Sequence, residues 1–473
     1  MPYIHPGQHI HLVGIGGSGM SAIARILLGQ GYTVSGSDRG QNDVMAALAR
    51  DGARVYTGHA AGQVQGVDAV IMTSAVTAEH VEVQAARGAG IPVYKRQDIM
   101  ADLMIGQRVI AVAGTKGKTT TTAMVVHLLR ECGADPSYIV GGVLGNTGTN
   151  AGVGQGGIFV VEADEYDNMF HGLRPDVIIL TNVEYDHPDF FKTPDDMMKS
   201  FRHFLRLLPQ GGNHLLVACA EDAQARQLRQ EIADAGYTGT RLYGLSRPVD
   251  ICAEHIHLDD NGRTCFDVIA TDSGGAMINQ GAICLGLPGE HNVLNALAAY
   301  FTVGTLIDAA HKPLAAALAS FTSTGRRFEL RDEMDGIAVI DDYAHNPTSI
   351  RVTLEAARQR YPGREIWAVW QPHTYSRTHA LLDGFAVAFA AADHVLVTDI
   401  YAAREQPVAG VDAPAVVERI QHADVRYGGD LQQTAALLAE VESPAVILIM
   451  SAGDAPVIGQ IFLGSRLARM GDS

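Results

Sequence analysis

The run Gly114-Thr115-Lys116-Gly117-Lys118-Thr119-Thr120-Thr121-Thr122 constrains this chain more than any other segment. An apolar stretch, Arg108 to Ala113, leads into it, and a helical pattern through Met124 to Leu129 leads out. A glycine turn between a buried strand and a helix aims backbone N–H groups and the helix N-terminus at phosphate oxygens. In that arrangement Lys118 reaches the β- and γ-phosphates of a nucleoside triphosphate, and the Thr119 hydroxyl ligates Mg²⁺. Gly114, Thr115, Lys116, Gly117 and Thr120 belong to the same phosphate cradle. The full P-loop pattern has a glycine where this chain has Val112, so the loop is a shorter variant.

Two polar segments follow at the ends of apolar runs. Val160-Val161-Glu162-Ala163-Asp164-Glu165 places carboxylates where a buried strand emerges, and Thr181 to Asp189, with Glu184, Asp186 and His187, does the same after the next strand. Open α/β sheets bind ligands at such strand ends. Mg²⁺ ions that bridge a triphosphate and its acceptor need hard oxygen ligands, with imidazole an acceptable extra. Read singly, each segment is an ordinary solvated loop; downstream of a P-loop, the pair reads as a metal and phosphate site.

Near the N-terminus, Gly14-x-Gly16-x-x-Gly19 follows the apolar run His9 to Val13, and Asp38 lies about 20 residues beyond, the spacing of a dinucleotide fingerprint. The loop offers N–H groups to any pyrophosphate, so UDP satisfies it as well as a nicotinamide cofactor does. Later come Asn292 and Asn295, which share a helical face and can read a base edge, and the pair Arg326-Arg327, a surface charge or a clamp on the triphosphate. Asp341 to Pro347 and Gln371 to Thr378 concentrate polar groups after two predicted strands, which suits a small zwitterion.

The chain has 473 residues, more than one core usually serves, and 47% are apolar. Strands alternating with helices predict an α/β protein of three domains. Residues 1–107 form a Rossmann-like unit. Residues 108–324 form a P-loop ATPase with a parallel sheet and, between about Asp250 and Ile283, a small antiparallel piece. Residues 325–473 form a second Rossmann-like unit. The net charge of −17 argues against a nucleic-acid partner. No apolar run is long enough to span a membrane and no leader pattern begins the chain, which predicts a cytoplasmic protein. Five scattered cysteines without a C-x-x-C pair predict free thiols.

The motifs in this order resemble the Mur ligase family of peptidoglycan synthesis over nearly the whole chain. Gly14 to Ser21, Val34 to Asp38, Gln371-Pro372-His373 and Thr398 to Tyr401 look most like its alanine-adding branch. The resemblance implies ATP-dependent, ADP-forming ligation of L-alanine to the lactyl carboxylate of UDP-N-acetylmuramate through an acyl phosphate, by a monomer or homodimer. It implies that Gly16, Gly17, Ser18, Ser37, Asp38 and Ser74 contact UDP. Lys118 and Thr119 would hold ATP and Mg²⁺, Glu162 and His187 would ligate metal, and Asn292 and Asn295 would face adenine. Arg327 and Asp342 would complete the ATP site, and Tyr343, His345, His373 and Arg377 would meet the amino acid, with His345 and Arg377 near the chemistry.

The chain departs from the alanine-adding pattern at Lys116 and Asn346, where that branch usually shows histidine. Glu165-Tyr166-Asp167 and Glu184 to His187 are similar to a related ligase that attaches a whole tripeptide, which stands as the alternative acceptor reading. A nicotinamide oxidoreductase and a nucleotide-binding regulator without turnover are the alternatives from other classes.

Overall fold

Alternation of apolar strands with helices produces three sheets, each with helices on its faces. The structure is a computed structural model that describes residues 2–471 except 213, 273 and 404. The first sheet contains β1 (His9–Val13), β2 (Thr33–Asp38), β3 (Arg54–Thr57), β4 (Ala69–Met72) and β5 (Val93–Lys95), all parallel, in the order β3-β2-β1-β4-β5. The order reverses at β1, and the glycine turn leaves its C-terminal end, the position where open α/β sheets form a ligand crevice.

The middle sheet has ten strands. They are β6 (Arg108–Ala113), β7 (Ser137–Ile139), β8 (Ala151–Gly152), β9 (Ile158–Glu162), β10 (Val177–Leu180), β11 (Leu215–Cys219), β12 (Thr240–Gly244), β13 (Ile251–Leu258), β14 (Thr264–Thr271) and β15 (Met277–Leu285). Their order is β15-β14-β13-β12-β11-β10-β6-β9-β7-β8. β6 lies between β9 and β10 and pairs parallel with both, so the P-loop also emerges at a switch point. β13 to β15 form the expected antiparallel piece. There Cys265 and Cys284 stand directly opposite in register and form a disulfide. This corrects the expectation of free thiols throughout: cross-strand facing, which scattered spacing does not show, brings the pair together. Cys132, Cys219 and Cys252 are free.

The third sheet contains β16 (Glu329–Met334), β17 (Ile337–Asp342), β18 (Glu365–Trp370), β19 (His394–Thr398), β20 (Val425–Gly429) and β21 (Ala445–Met450). It runs β16-β17-β21-β18-β19-β20, with β16 an antiparallel edge. Its central strands are buried on both faces, as their unbroken apolar runs require.

The cores divide unevenly. One buried cluster joins Ile10 and Ile26 of the first sheet's layer to Leu103, Phe159, Phe170 and Phe201, so the first two units share apolar packing. The clusters on the two faces of the third sheet contain no residue before Phe328. No helix among the described residues is long and apolar enough to cross a membrane.

Candidate active site

The P-loop is shaped from beneath. Gly114 takes φ +134°, and a Cβ there would lie 2.1 Å from Thr181 Oγ1. Gly117 takes φ +81° and packs against the Asn295 amide, where a Cβ would lie 2.6 Å from its oxygen. Only glycine fits either position. Thr115 N–H donates to Asn182 O (3.0 Å) and Lys116 N–H to Asn182 Oδ1 (2.9 Å). The Thr181 hydroxyl and the Asn182 amide both donate to Lys116 O, at 2.6 and 2.9 Å. The helix Lys118–Glu131 then starts with no side-chain cap, its first N–H groups aimed along the axis that phosphates favour.

Charge is concentrated around this turn. Lys118 Nζ donates to Glu165 Oε2 at 2.7 Å and Oε1 at 3.0 Å, and to Gly114 O at 2.5 Å. Burial works against the ammonium charge, but the carboxylates of Glu165, Asp164 and Glu162 hold Lys118 above its ordinary pKa. The Thr119 hydroxyl donates to Glu162 Oε1 at 3.0 Å, and Gly141 N–H donates to Glu162 Oε2 at 2.7 Å. Burial pushes Glu162 up even though Lys118 opposes it. His187 Nε2 lies 3.6 Å from Glu165 Oε1, and its backbone is left-handed at φ +57°. Burial disfavours its charge, yet Glu165 and Asp186 raise it. Thr120 is buried in the first turn of the helix.

The third unit reaches into the same place. Arg327 Nη2 donates to Thr119 Oγ1 at 3.4 Å, and Arg326 and Arg327 lie over the Tyr343 ring at 5.2 and 4.9 Å. Asp342 is buried and accepts from Phe328 N–H (2.8 Å) and Ala344 N–H (2.7 Å), which fixes the strand end that carries Tyr343. Arg377 Nε donates to Asp186 Oδ1 at 2.9 Å in a buried pair, and Arg377 Nη1 meets His373 Nδ1 at 3.0 Å. The Asp186 carboxyl lies well below its ordinary range, because Arg377 outweighs its burial. Burial and Arg377 depress both neighbouring imidazoles, His345 strongly and His373 to about 4, so both are neutral at pH 7. His345 and His373 stand 6.0 Å apart between ring centroids, and His373 stacks on Tyr401. Asn346 caps the helix Pro347–Arg360 instead of facing this cavity.

Among the residues predicted for the nucleotide and amino-acid ends, the structure thus brings together the P-loop, Glu162, His187, Arg327, Asp342, Tyr343, His345, His373 and Arg377. Asn292 and Asn295 lie behind the P-loop with their amides engaged: Asn292 donates to Pro288 O (2.7 Å), and Asn295 accepts from the Thr121 hydroxyl (3.1 Å). In the sequence, Glu165, Asp186 and Glu184 stand out only as parts of acidic segments. Glu184 binds Lys116 and accepts from the Thr348 hydroxyl of the third unit. Their partners are remote in sequence, so no local spacing announces them.

The first glycine turn is a separate place. Gly14 takes φ +85° and donates with Ile15 to Ser37 O (2.8 and 3.0 Å), while Gly16 N–H donates to Asp38 Oδ2 at 2.9 Å. Gly17 caps the helix Ser18–Gly29, and Ser18 O accepts from the Asn150 amide at 3.1 Å. Ser37 is buried and Ser74 exposed, both at the C-terminal end of the sheet.

Three family models match in succession: the Mur ligase catalytic domain at residues 9–108, the Mur ligase middle domain at 112–303 and the Mur ligase glutamate ligase domain at 326–453. The chain belongs to the Mur ligase family. Within that family it is 41% identical over 472 residues to the UDP-N-acetylmuramate–L-alanine ligase of Roseiflexus sp. (strain RS-1), covering 96% of this chain and 98% of that one. Among solved Mur ligases, the UDP-N-acetylmuramate–alanine ligase of Thermotoga maritima superposes with a TM-score of 0.79 at 27% identity, over 98% of this chain and all of that one. A murein peptide ligase from Psychrobacter arcticus gives 0.69 at 26% identity, over 97% and 98%.

Proposed function

We propose that this Mur ligase joins L-alanine to the lactyl carboxylate of UDP-N-acetylmuramate with conversion of ATP to ADP and phosphate, a step of peptidoglycan synthesis in the cytoplasm. The observation that carries the reading is convergence: a glycine turn with a half-buried lysine meets Arg327 on Thr119, and Arg377 from the same third unit pairs with Asp186 at the next strand end of the middle sheet. The near full-length identity to alanine-adding ligases supports alanine over a tripeptide.

The residues divide the work by charge. Residues 1–107 carry the UDP-sugar, with Gly16, Gly17, Ser18, Ser37, Asp38 and Ser74 around UDP. Residues 108–324 carry ATP on Gly114 to Thr120, with Asn292 and Asn295 bracing that loop from behind instead of facing adenine. Residues 325–473 bring the amino acid, near Tyr343, His345, His373 and Arg377. The lactyl carboxylate attacks the γ-phosphate to give an acyl phosphate, and the amine of alanine then displaces phosphate. Neither step needs a protein nucleophile, so positioning and cationic stabilisation of phosphoryl oxygens dominate. Lys118 and Arg327 supply that stabilisation. His345 and His373, neutral at pH 7, can accept hydrogen bonds from the incoming ammonium and orient it.

The donor set fits Mg²⁺. Glu162 and the Thr119 hydroxyl present oxygen ligands side by side, with His187 nearby, and a Cβ at Gly141 would lie 2.7 Å from the Glu162 carboxylate, so that position is kept bare for it. Mg²⁺ held there would neutralise phosphate charge and orient the terminal phosphoryl group.

Phosphate release tests the reading, with ATP and UDP-N-acetylmuramate present and alanine, glycine, serine or tripeptide added in turn. Release should need both the UDP-sugar and alanine. Dependence on tripeptide would move the assignment to the peptide-attaching branch, and nucleotide binding without turnover would refute it.

A further inference from the structure

A second cluster of titratable side chains lies on one face of the first sheet. His11, in the middle of β1, and Glu82, in the first turn of the helix Val81–Gly88, are both fully buried. The Ser37 hydroxyl donates to Glu82 Oε2 at 2.7 Å and meets His59 Nδ1 at 2.9 Å, while Ala60 N–H donates to Glu82 Oε1 at 3.3 Å. The rings of His59 and His80 meet edge to face with centroids 4.5 Å apart. One ligand atom from each of His59, His80 and Glu82 lies within 4.8 Å of the other two.

Two features show that this column is electrically incomplete. Glu82 has no exposed surface, and it accepts from the Ser37 hydroxyl and the Ala60 N–H. Its ion-pair neighbours among the described residues are only imidazoles, His11 and His59, each at 3.6 Å. A buried charge of this kind is normally paired or bound to a metal. Moreover, His11 Nε2 is buried without a hydrogen-bond partner and directed at Glu82, its Nδ1 being occupied by Ser35 at 2.9 Å.

We propose that His59, His80 and Glu82 bind a divalent transition cation of the zinc class. Two imidazoles and one carboxylate are a donor set that such ions favour, with a fourth position left for water. Ser37 gives its proton to Glu82 and therefore accepts from His59 Nδ1–H, which leaves the His59 Nε2 lone pair for the metal. A ligating histidine usually has its second nitrogen fixed in this way. His80 lies at the N-cap of the helix Val81–Gly88, one residue before the turn that carries Glu82. Its one backbone contact, from Glu82 N–H, is long at 3.4 Å and is readily given up. The cluster of Asp259, Cys265 and Cys284 is different, since its cysteines are joined in a disulfide and offer no thiolate.

The test uses the full-length protein, treated with chelator and then titrated with ZnCl₂ while excess Mg²⁺ and ADP occupy the middle unit. Zinc should bind at about one equivalent and raise the melting temperature. Co²⁺ should give a ligand-field spectrum without a thiolate band. His59→Ala and His80→Ala should each weaken zinc binding by about 100-fold or more and abolish the melting-temperature rise, with circular dichroism unchanged. Glu82 is too buried to serve alone as the probe, so the two imidazole variants carry the result. Absence of zinc binding to the wild-type protein, or equal affinity in both variants, would overturn the site.

Discussion

The two seams between the three units are built from opposite materials. Between the first and second, apolar side chains merge into one buried cluster that includes Ile26, Leu103 and Phe170, and the Asn150 amide donates to Ser18 O at 3.1 Å. Between the second and third, polar contacts gather at the candidate active site, with Arg377 on Asp186, Arg327 on Thr119 and Thr348 on Glu184, and Arg360 meets Asn261 O further out. An apolar seam loses its stabilisation if it parts, because its surface must be hydrated. A polar seam can exchange its partners for water at little net cost. The first seam therefore fixes the first unit to the second, and the second seam is the one expected to open and close as substrates bind.

Leu103→Ala should have the largest effect on stability, a loss of about 2–5 kcal/mol read by denaturant unfolding, because Leu103 lies inside the fixed seam. An unchanged midpoint would show that this seam is not a shared core. Lys118→Ala should lower phosphate release by about 10²–10³-fold with both seams intact, read by scattering and circular dichroism. Glu165 keeps His187 as a neighbour in that variant.

Arg377→Ala separates the two materials most sharply. In a rigid interface, removing one member of a buried pair costs about 3–5 kcal/mol. If the seam opens, Asp186 reaches water, so the loss of stability should be only about 1 kcal/mol. The scattering profile with substrates should then stay expanded. A full-sized loss with a compact profile would contradict a movable seam.

The smallest effect is that of pH. The folded pKa of His373 is about 4, below its unfolded value of about 6.5, so its contribution to stability is present above pH 6.5 and fades as pH falls toward 4. His187, raised in the folded state, acts oppositely: its contribution is present below about pH 6.5 and is lost as pH rises through its folded value. kcat/KM for alanine should decline on the acid side, and His373→Asn should flatten that decline.

Local order made most of the architecture legible. Strand, glycine turn and helix follow one another within a few residues at both Gly14 and Gly114, and the alternating strands of the antiparallel piece carry their own turn signals. Pairings across the chain were not legible. Lys118 finds Glu165 47 positions away, and Arg377 finds Asp186 191 positions away, so neither pair has a spacing to recognise. The bond between Cys265 and Cys284 depends on strand register, which a hairpin's turn sets and composition does not. His80 and Glu82 share the connection between β4 and β5, whereas His59 comes from the one between β3 and β4 and joins them only through folding.

The hydrogen bonds under the P-loop bear on nucleotide affinity. Thr181 and Asn182 hold the backbone of Thr115 and Lys116 through four bonds that need no ligand. The conformational entropy of that turn is lost when the protein folds, and little remains to be lost when a triphosphate arrives. Trimming either side chain should then return disorder to the loop and weaken capture of a triphosphate there.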